Sequence, residues 1–71
     1  MTAFRKGDRV KWASHGGTAH GIVEARITAP RHIKGHIGSH KAAASHDDPQ
    51  YLVKSDKGGE AAHKPDALRR D

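Results

Sequence analysis

Asp47-Asp48-Pro49-Gln50-Tyr51-Leu52-Val53-Lys54-Ser55-Asp56-Lys57-Gly58-Gly59-Glu60-Ala61-Ala62-His63-Lys64-Pro65 reads as one β-hairpin with marked ends. Pro49 and Pro65 bracket it, because a proline has no N–H to give to a ladder. Gly58-Gly59 supplies residues that tolerate positive φ, as a tight turn requires. Tyr51 and Val53 fall on one face, and Gln50, Leu52 and Lys54 on the other. Asp47-Asp48, just ahead of Pro49, are expected to form an Asx-type turn that opens the hairpin.

Upstream, Asp8-Arg9-Val10-Lys11-Trp12-Ala13 alternates charged and apolar residues, the period-2 pattern of a half-buried strand with Val10 and Trp12 inward. Ser14-His15-Gly16-Gly17 then reads as a turn. The second strand is centred on Gly21-Ile22-Val23-Glu24-Ala25-Arg26-Ile27, with Val23, Ala25 and Ile27 on one face and Gly21 marking a bend or bulge. Pro30 ends it. Arg31 to His40 fits neither period and reads as a flexible His/Gly-rich loop at about 29–40. Lys41-Ala42-Ala43-Ala44-Ser45 is too short to nucleate a helix alone and is taken as a short third strand. Pro65-Asp66-Ala67-Leu68-Arg69 fits one closing turn of 3₁₀ or α helix with proline at its first position.

The chain of 71 residues is expected to be a single domain. Its hydrophobic fraction of 34% includes eleven alanines, and only ten residues are Leu, Ile, Val or Phe, so the core must be small. With no cysteine, neither a disulfide nor a thiolate zinc site can supplement that core. No apolar run suits a spanning helix or signal peptide, and the default expectation is a cytoplasmic protein. Five short strands and tight turns predict an all-β, small five-stranded SH3-like barrel with a short C-terminal helical turn.

Within this pattern Gly7-Asp8-Arg9-Val10-Lys11-Trp12, Gly21-Ile22-Val23, Asp47 to Lys57 and Ala61-Ala62-His63-Lys64-Pro65 resemble the hypervirulence-associated TUDOR-domain family. The resemblance spans nearly the whole chain and is most specific in its C-terminal half. It implies a Tudor-like, SH3-like barrel that stands alone as a small protein, in a family of unestablished molecular function. It does not imply methyl-lysine reading, because a cage needs rings on several sides of the cation and this chain has three aromatics in all.

The formal charge of +5 makes polyanions plausible partners, and seven histidines add charge as pH falls. On outward positions lie Arg9, Lys11, Lys54 and Lys64, with Lys57 at the hairpin tip and Lys34 and Lys41 in the middle of the chain. If several share one side, they form a strip able to track phosphates; otherwise they are dispersed solubilising charge. Trp12 and Tyr51 are read first as core and second as part of a partner-binding surface.

His32, His36 and His40 recur at intervals of four, which would align them on a helix, but Gly35, Gly38 and Ser39 argue against that helix and no metal site is assigned. His63 is expected to be structural. Ser14-His15, Ser39-His40 and Ser45-His46 are neighbours in sequence, which makes no triad without spatial convergence. The sequence thus predicts a non-enzymatic binding module with no cofactor and no membrane contact, and identifies no small-molecule substrate. Its leading partner is nucleic acid or another acidic molecule held weakly and salt-sensitively. The alternative is a peptide engaged through a strand edge or loop.

Overall fold

The computed structural model describes residues 4–34 and 39–71. Strand β1 (Arg9–Ser14) turns at His15-Gly16 into the long β2 (Gly17–Ile27). β3 (Arg31–Lys34) and β4 (Ser39–Ala42) pair as an antiparallel ribbon. β5 (Gln50–Ser55) and β6 (Glu60–His63) form the marked hairpin, a 3₁₀ turn covers Pro65–Ala67, and β7 (Arg69–Arg70) closes the chain's path against β1. The main sheet is antiparallel in the order β6-β5-β2-β1-β7. The ribbon is a separate two-stranded sheet whose β3 lies against β6. The domain is therefore all-β and of the small SH3-like kind, with the ribbon joined to the main sheet by packing rather than by a backbone ladder among the described residues.

The hairpin forms as its punctuation dictates. Gly58 and Gly59 have φ of 93° and 79°, a left-handed pair that side chains disfavour and glycine accepts freely. The Gly58 N–H donates to the Ser55 carbonyl at 3.0 Å, closing the turn. At the other end the turn chemistry differs from expectation. Ser45, rather than Asp47 or Asp48, supplies the side-chain oxygen, which accepts from the Asp48 N–H at 3.1 Å. The Asp48 carboxylate instead meets Lys64 Nζ at 3.3 Å.

Two apolar clusters occupy opposite faces of the main sheet. The first joins Phe4, Val10, Trp12, Val23, Tyr51, Val53 and Leu68, and the second joins Ile27, Ile33, Ala42, Ala44 and Leu52 under the ribbon. Adjacent residues Leu52 and Val53 are both buried because the sheet is covered on both sides at that point. β2 serves both clusters through a bulge. Val23 pairs with Val53 but Ala25 pairs with Leu52, so Glu24 is the extra residue and the strand changes face there. Val23 and Ala25 thus face opposite clusters, not one face as the simple alternation predicts.

The bulge also lies three residues beyond Gly21. Gly21 serves close packing instead, since a Cβ there would meet the Lys54 carbonyl oxygen and, at 2.8 Å, Cη2 of Trp12. Only the absence of a side chain lets β2 approach β5 this closely while the indole lies over it.

Two further elements depart from the sequence reading. Arg31–Lys34 and Ser39-His40 lie in strands, although residues 29–40 read as a loop, and of the expected Lys41-to-Ser45 strand Lys41 and Ala42 belong to β4 while Ala43 to Ser45 do not. Ile33 is the reason: its side chain is fully buried against the second cluster and ties the ribbon down. Arg69–Arg70, which carries no apolar residue, is a strand because its backbone completes the edge of β1 at Val10 and Lys11. The 3₁₀ turn before it has Pro65 at its start, as expected.

Candidate functional site

The part of the main sheet not covered by the ribbon presents one outward surface. Strand alternation and register define its rungs. One rung runs Arg9, Ile22, Lys54, Glu60 across β1, β2, β5 and β6, and Asp71 joins its β1 end, where its N–H donates to the Arg9 carbonyl at 3.1 Å. The neighbouring rung runs Arg69, Lys11, His20 across β7, β1 and β2. Three basic residue types therefore stand directly opposite one another on adjacent strands, an arrangement in which charged groups repel. Ile22, 39% exposed, is the large hydrophobic residue left open to solvent among the described residues.

Acidic side chains temper this surface. Arg9 forms a bidentate pair with Asp56, Nη1 to Oδ1 at 3.1 Å and Nη2 to Oδ2 at 2.9 Å. Its Nη2 also reaches Oδ2 of Asp71 at 3.5 Å. Asp71 Oδ2 in turn accepts from Nδ1 of His20 at 2.9 Å, which places that ring's proton on Nδ1 while the carboxyl is ionised. The hydrogen bond from His20, and then the positive charge of His20, Arg9 and Lys11, hold the Asp71 carboxyl below the usual carboxylate range.

At the bulge the balance is reversed. Glu24 Oε1 is shielded from solvent and meets no conventional donor. A hydrogen bond shared with Glu60, together with desolvation and Glu60's charge, holds the Glu24 carboxyl above its ordinary value, against the opposing pull of Lys54 and Lys6.

The residues singled out in the sequence separate into four places. Arg9, Lys11 and Lys54 share the outward face, with Arg9 already engaged by carboxylates. Lys57 is exposed in the hairpin turn, and Lys64 lies apart, paired with Asp48. Trp12 and Tyr51 are in the core, 6% and 4% exposed. The indole packs against His63 with ring centres 5.0 Å apart and planes tilted by 39°, and Tyr51 meets the Phe4 ring edge-to-face at 5.5 Å while its hydroxyl accepts from the Phe4 N–H at 3.3 Å. All three aromatic residues of the chain are thus inside, and no aromatic cage stands on the surface.

Arg69, His20 and Asp71 belong to the same face and were not among the sequence candidates. Their placement follows from register alone, which no local pattern discloses. In the ribbon His32 stands opposite Lys41 and His40 opposite Ile33, a ladder rather than the helix that a spacing of four would need; His36 lies outside the described residues. Among the described residues no group of three or more His, Cys, Asp or Glu side chains is placed to hold a metal ion. None of their helices is long and apolar enough to cross a membrane.

A family model described as the hypervirulence associated proteins TUDOR domain matches residues 7–68. Comparison with curated proteins and with solved structures found no match.

Proposed function

The chain belongs to the hypervirulence-associated TUDOR-domain family, whose Tudor-like fold is in general that of a binding module, and from that premise we propose that it binds nucleic acid, weakly and without chemistry, through the outward face of β7, β1, β2 and β5. The observation that carries this reading is the Arg69-Lys11-His20 rung, which sets two cations and an imidazole side by side across three strands. Lys54 on the next rung extends it. Phosphate contacts from such a row give affinity without sequence preference, because bases are not read. The buried aromatics supply no stacking platform, so affinity stays low. The fold supports binding in general, and the choice of nucleic acid as partner is drawn from this face, since one fold hosts many activities.

The test is an amide NMR titration with short single-stranded and duplex DNA and RNA at low and moderate salt. With about three phosphate contacts on a single strand, affinity falls roughly 20-fold between 50 and 200 mM salt. Shifts should centre on Lys11, His20 and Arg69, and a combined Lys11→Ala, Arg69→Ala change should abolish them. Absence of shifts at low salt refutes the proposal.

A peptide-binding reading has one observation in its favour. β7 pairs with β1 only at Val10 and Lys11, so the backbone edge of Trp12 to Ser14 has no ladder partner among the described residues. An added peptide strand there would bind with little salt dependence.

A further inference from the structure

The same face already holds an anion, and it is the chain's own. The Asp71 carboxylate sits where β7, β1 and β2 meet, takes a hydrogen bond from His20 at 2.9 Å, and lies 3.5 Å from the Arg9 guanidinium. Its side chain is 26% exposed, so an incoming molecule can reach it. The site is built by strands side by side: Arg9 and Lys11 project from β1, His20 from β2 opposite Lys11, and Arg69 from β7 on Lys11's other side. Charge-assisted donors arranged around one oxyanion make a site for any oxyanion of similar size, and phosphate and carboxylate oxygens accept the same donors.

We propose that a phosphodiester group of nucleic acid binds between His20 and Arg9 in place of the Asp71 carboxylate, making Asp71 an internal competitor that weakens the domain's own hold on its ligand. The inference rests on the nucleic-acid reading above and adds a regulatory element to that face. Both anions cannot occupy the position, since each would leave the other's charge unpaired beside it. Displacement costs the protein the contacts of Asp71 with His20 and Arg9, and the ligand's affinity is lowered by that amount. Asp56 does not play this part. Its two oxygens are taken by the fork of Arg9, and its backbone is fixed by the N–H that donates to the His20 carbonyl at 2.9 Å.

The experiment compares wild type, Asp71→Asn and Asp47→Asn for binding to a fluorescein-labelled oligothymidylate at low salt, by anisotropy. Asp47→Asn makes the same change in net charge at an exposed position in the β4–β5 turn, at the opposite end of β5 from Asp56. Asp71→Asn is expected to bind about 3- to 10-fold more tightly than wild type, and Asp47→Asn less than about twofold more tightly. In wild type the His20 ring nitrogens and the Asp71 carboxyl carbon should move together in NMR spectra as the oligonucleotide is added. Equal effects of the two substitutions, or weaker binding by Asp71→Asn, overturn the competitor. If the Lys11→Ala, Arg69→Ala protein has meanwhile lost binding, the nucleic-acid reading survives that outcome. If neither wild type nor Asp71→Asn binds, both fall.

Discussion

Replacing Gly21 with alanine should be the most damaging single-methyl change in this domain. Gly21 is not among the glycines with positive φ, so alanine meets no backbone strain there and only space decides. In an open position the substitution would stabilise by roughly 0.4–1 kcal/mol, by narrowing the unfolded ensemble. Here the new Cβ meets the carbonyl oxygen of Lys54 and Cη2 of Trp12. The indole can tilt, but the Lys54 backbone cannot move alone, since its neighbours are Ile22 in β2 and Glu60 in β6. Relief therefore requires β2 and β5 to part. Overpacking commonly costs about 1–3 kcal/mol, and a backbone obstacle belongs at the upper end, for a net loss of about 2 kcal/mol. At this chain length that lowers Tm by roughly 10 °C, from a total stability on the order of 4–11 kcal/mol. Urea denaturation followed by far-UV circular dichroism measures it. A Gly21→Ala protein as stable as wild type refutes the close-approach argument. Full rescue by Trp12→Phe, which removes Cη2, would show that the ring and not the backbone is the obstacle.

Ile33→Ala should cost about 2–4 kcal/mol, and amides of the ribbon should exchange faster than those of β1 and β2, because Ile33 anchors β3 to the second cluster; a uniform rise in exchange contradicts this. Tyr51→Phe removes the hydroxyl that accepts from the Phe4 N–H and should cost about 1 kcal/mol, measured as a shift in denaturation midpoint. The Glu24 carboxyl is raised above its unfolded value, so its favourable contribution is full below the unfolded pKa and is lost as pH rises through the folded one. Glu24→Gln should therefore be more stable than wild type at pH 7, with the difference shrinking toward pH 4. A constant difference in urea midpoints across that range counts against the shared proton.

What the sequence disclosed was local. Val10 and Trp12 alternate with charge, and Gly58-Gly59 needs positive φ; both are readable without knowing any partner strand. The features it hid depend on pairing. The Glu24 bulge exists only because Leu52 and Val53 face opposite clusters, and the adjacent apolar residues at those positions were its one faint sign. Ile33 is a single apolar residue among Arg31, His32 and Lys34, too little for a period, and only its burial under the second cluster reveals a strand. Arg69 and Arg70 have no strand signal whatever and are ordered by the edge they complete. The candidate face was half legible for the same reason. Arg9, Lys11 and Lys54 could be assigned outward by alternation, whereas the union of Lys11 with Arg69, His20 and Asp71 needed the register of three strands.

The small core and the choice of surface are linked. With ten Leu, Ile, Val and Phe residues in the chain, the first cluster is built around Phe4, Trp12 and Tyr51, which together fill much of its volume. Bringing two of those rings to the surface to hold a methylammonium would empty the interior. A Phe or Trp lost from a core costs about 3–5 kcal/mol, and two such losses approach the whole stability available to a domain of this size. The second cluster cannot compensate, being mostly alanine around Ile27, Ile33 and Leu52. Cation-π recognition is thus closed to this chain by its own packing, while its outward rungs carry charge that contributes nothing to the core. Ion pairing over β7, β1 and β2 is the chemistry the proposed reading assigns to this face, and on that reading its strength depends on the hold that Asp56 and Asp71 already have on Arg9 and His20.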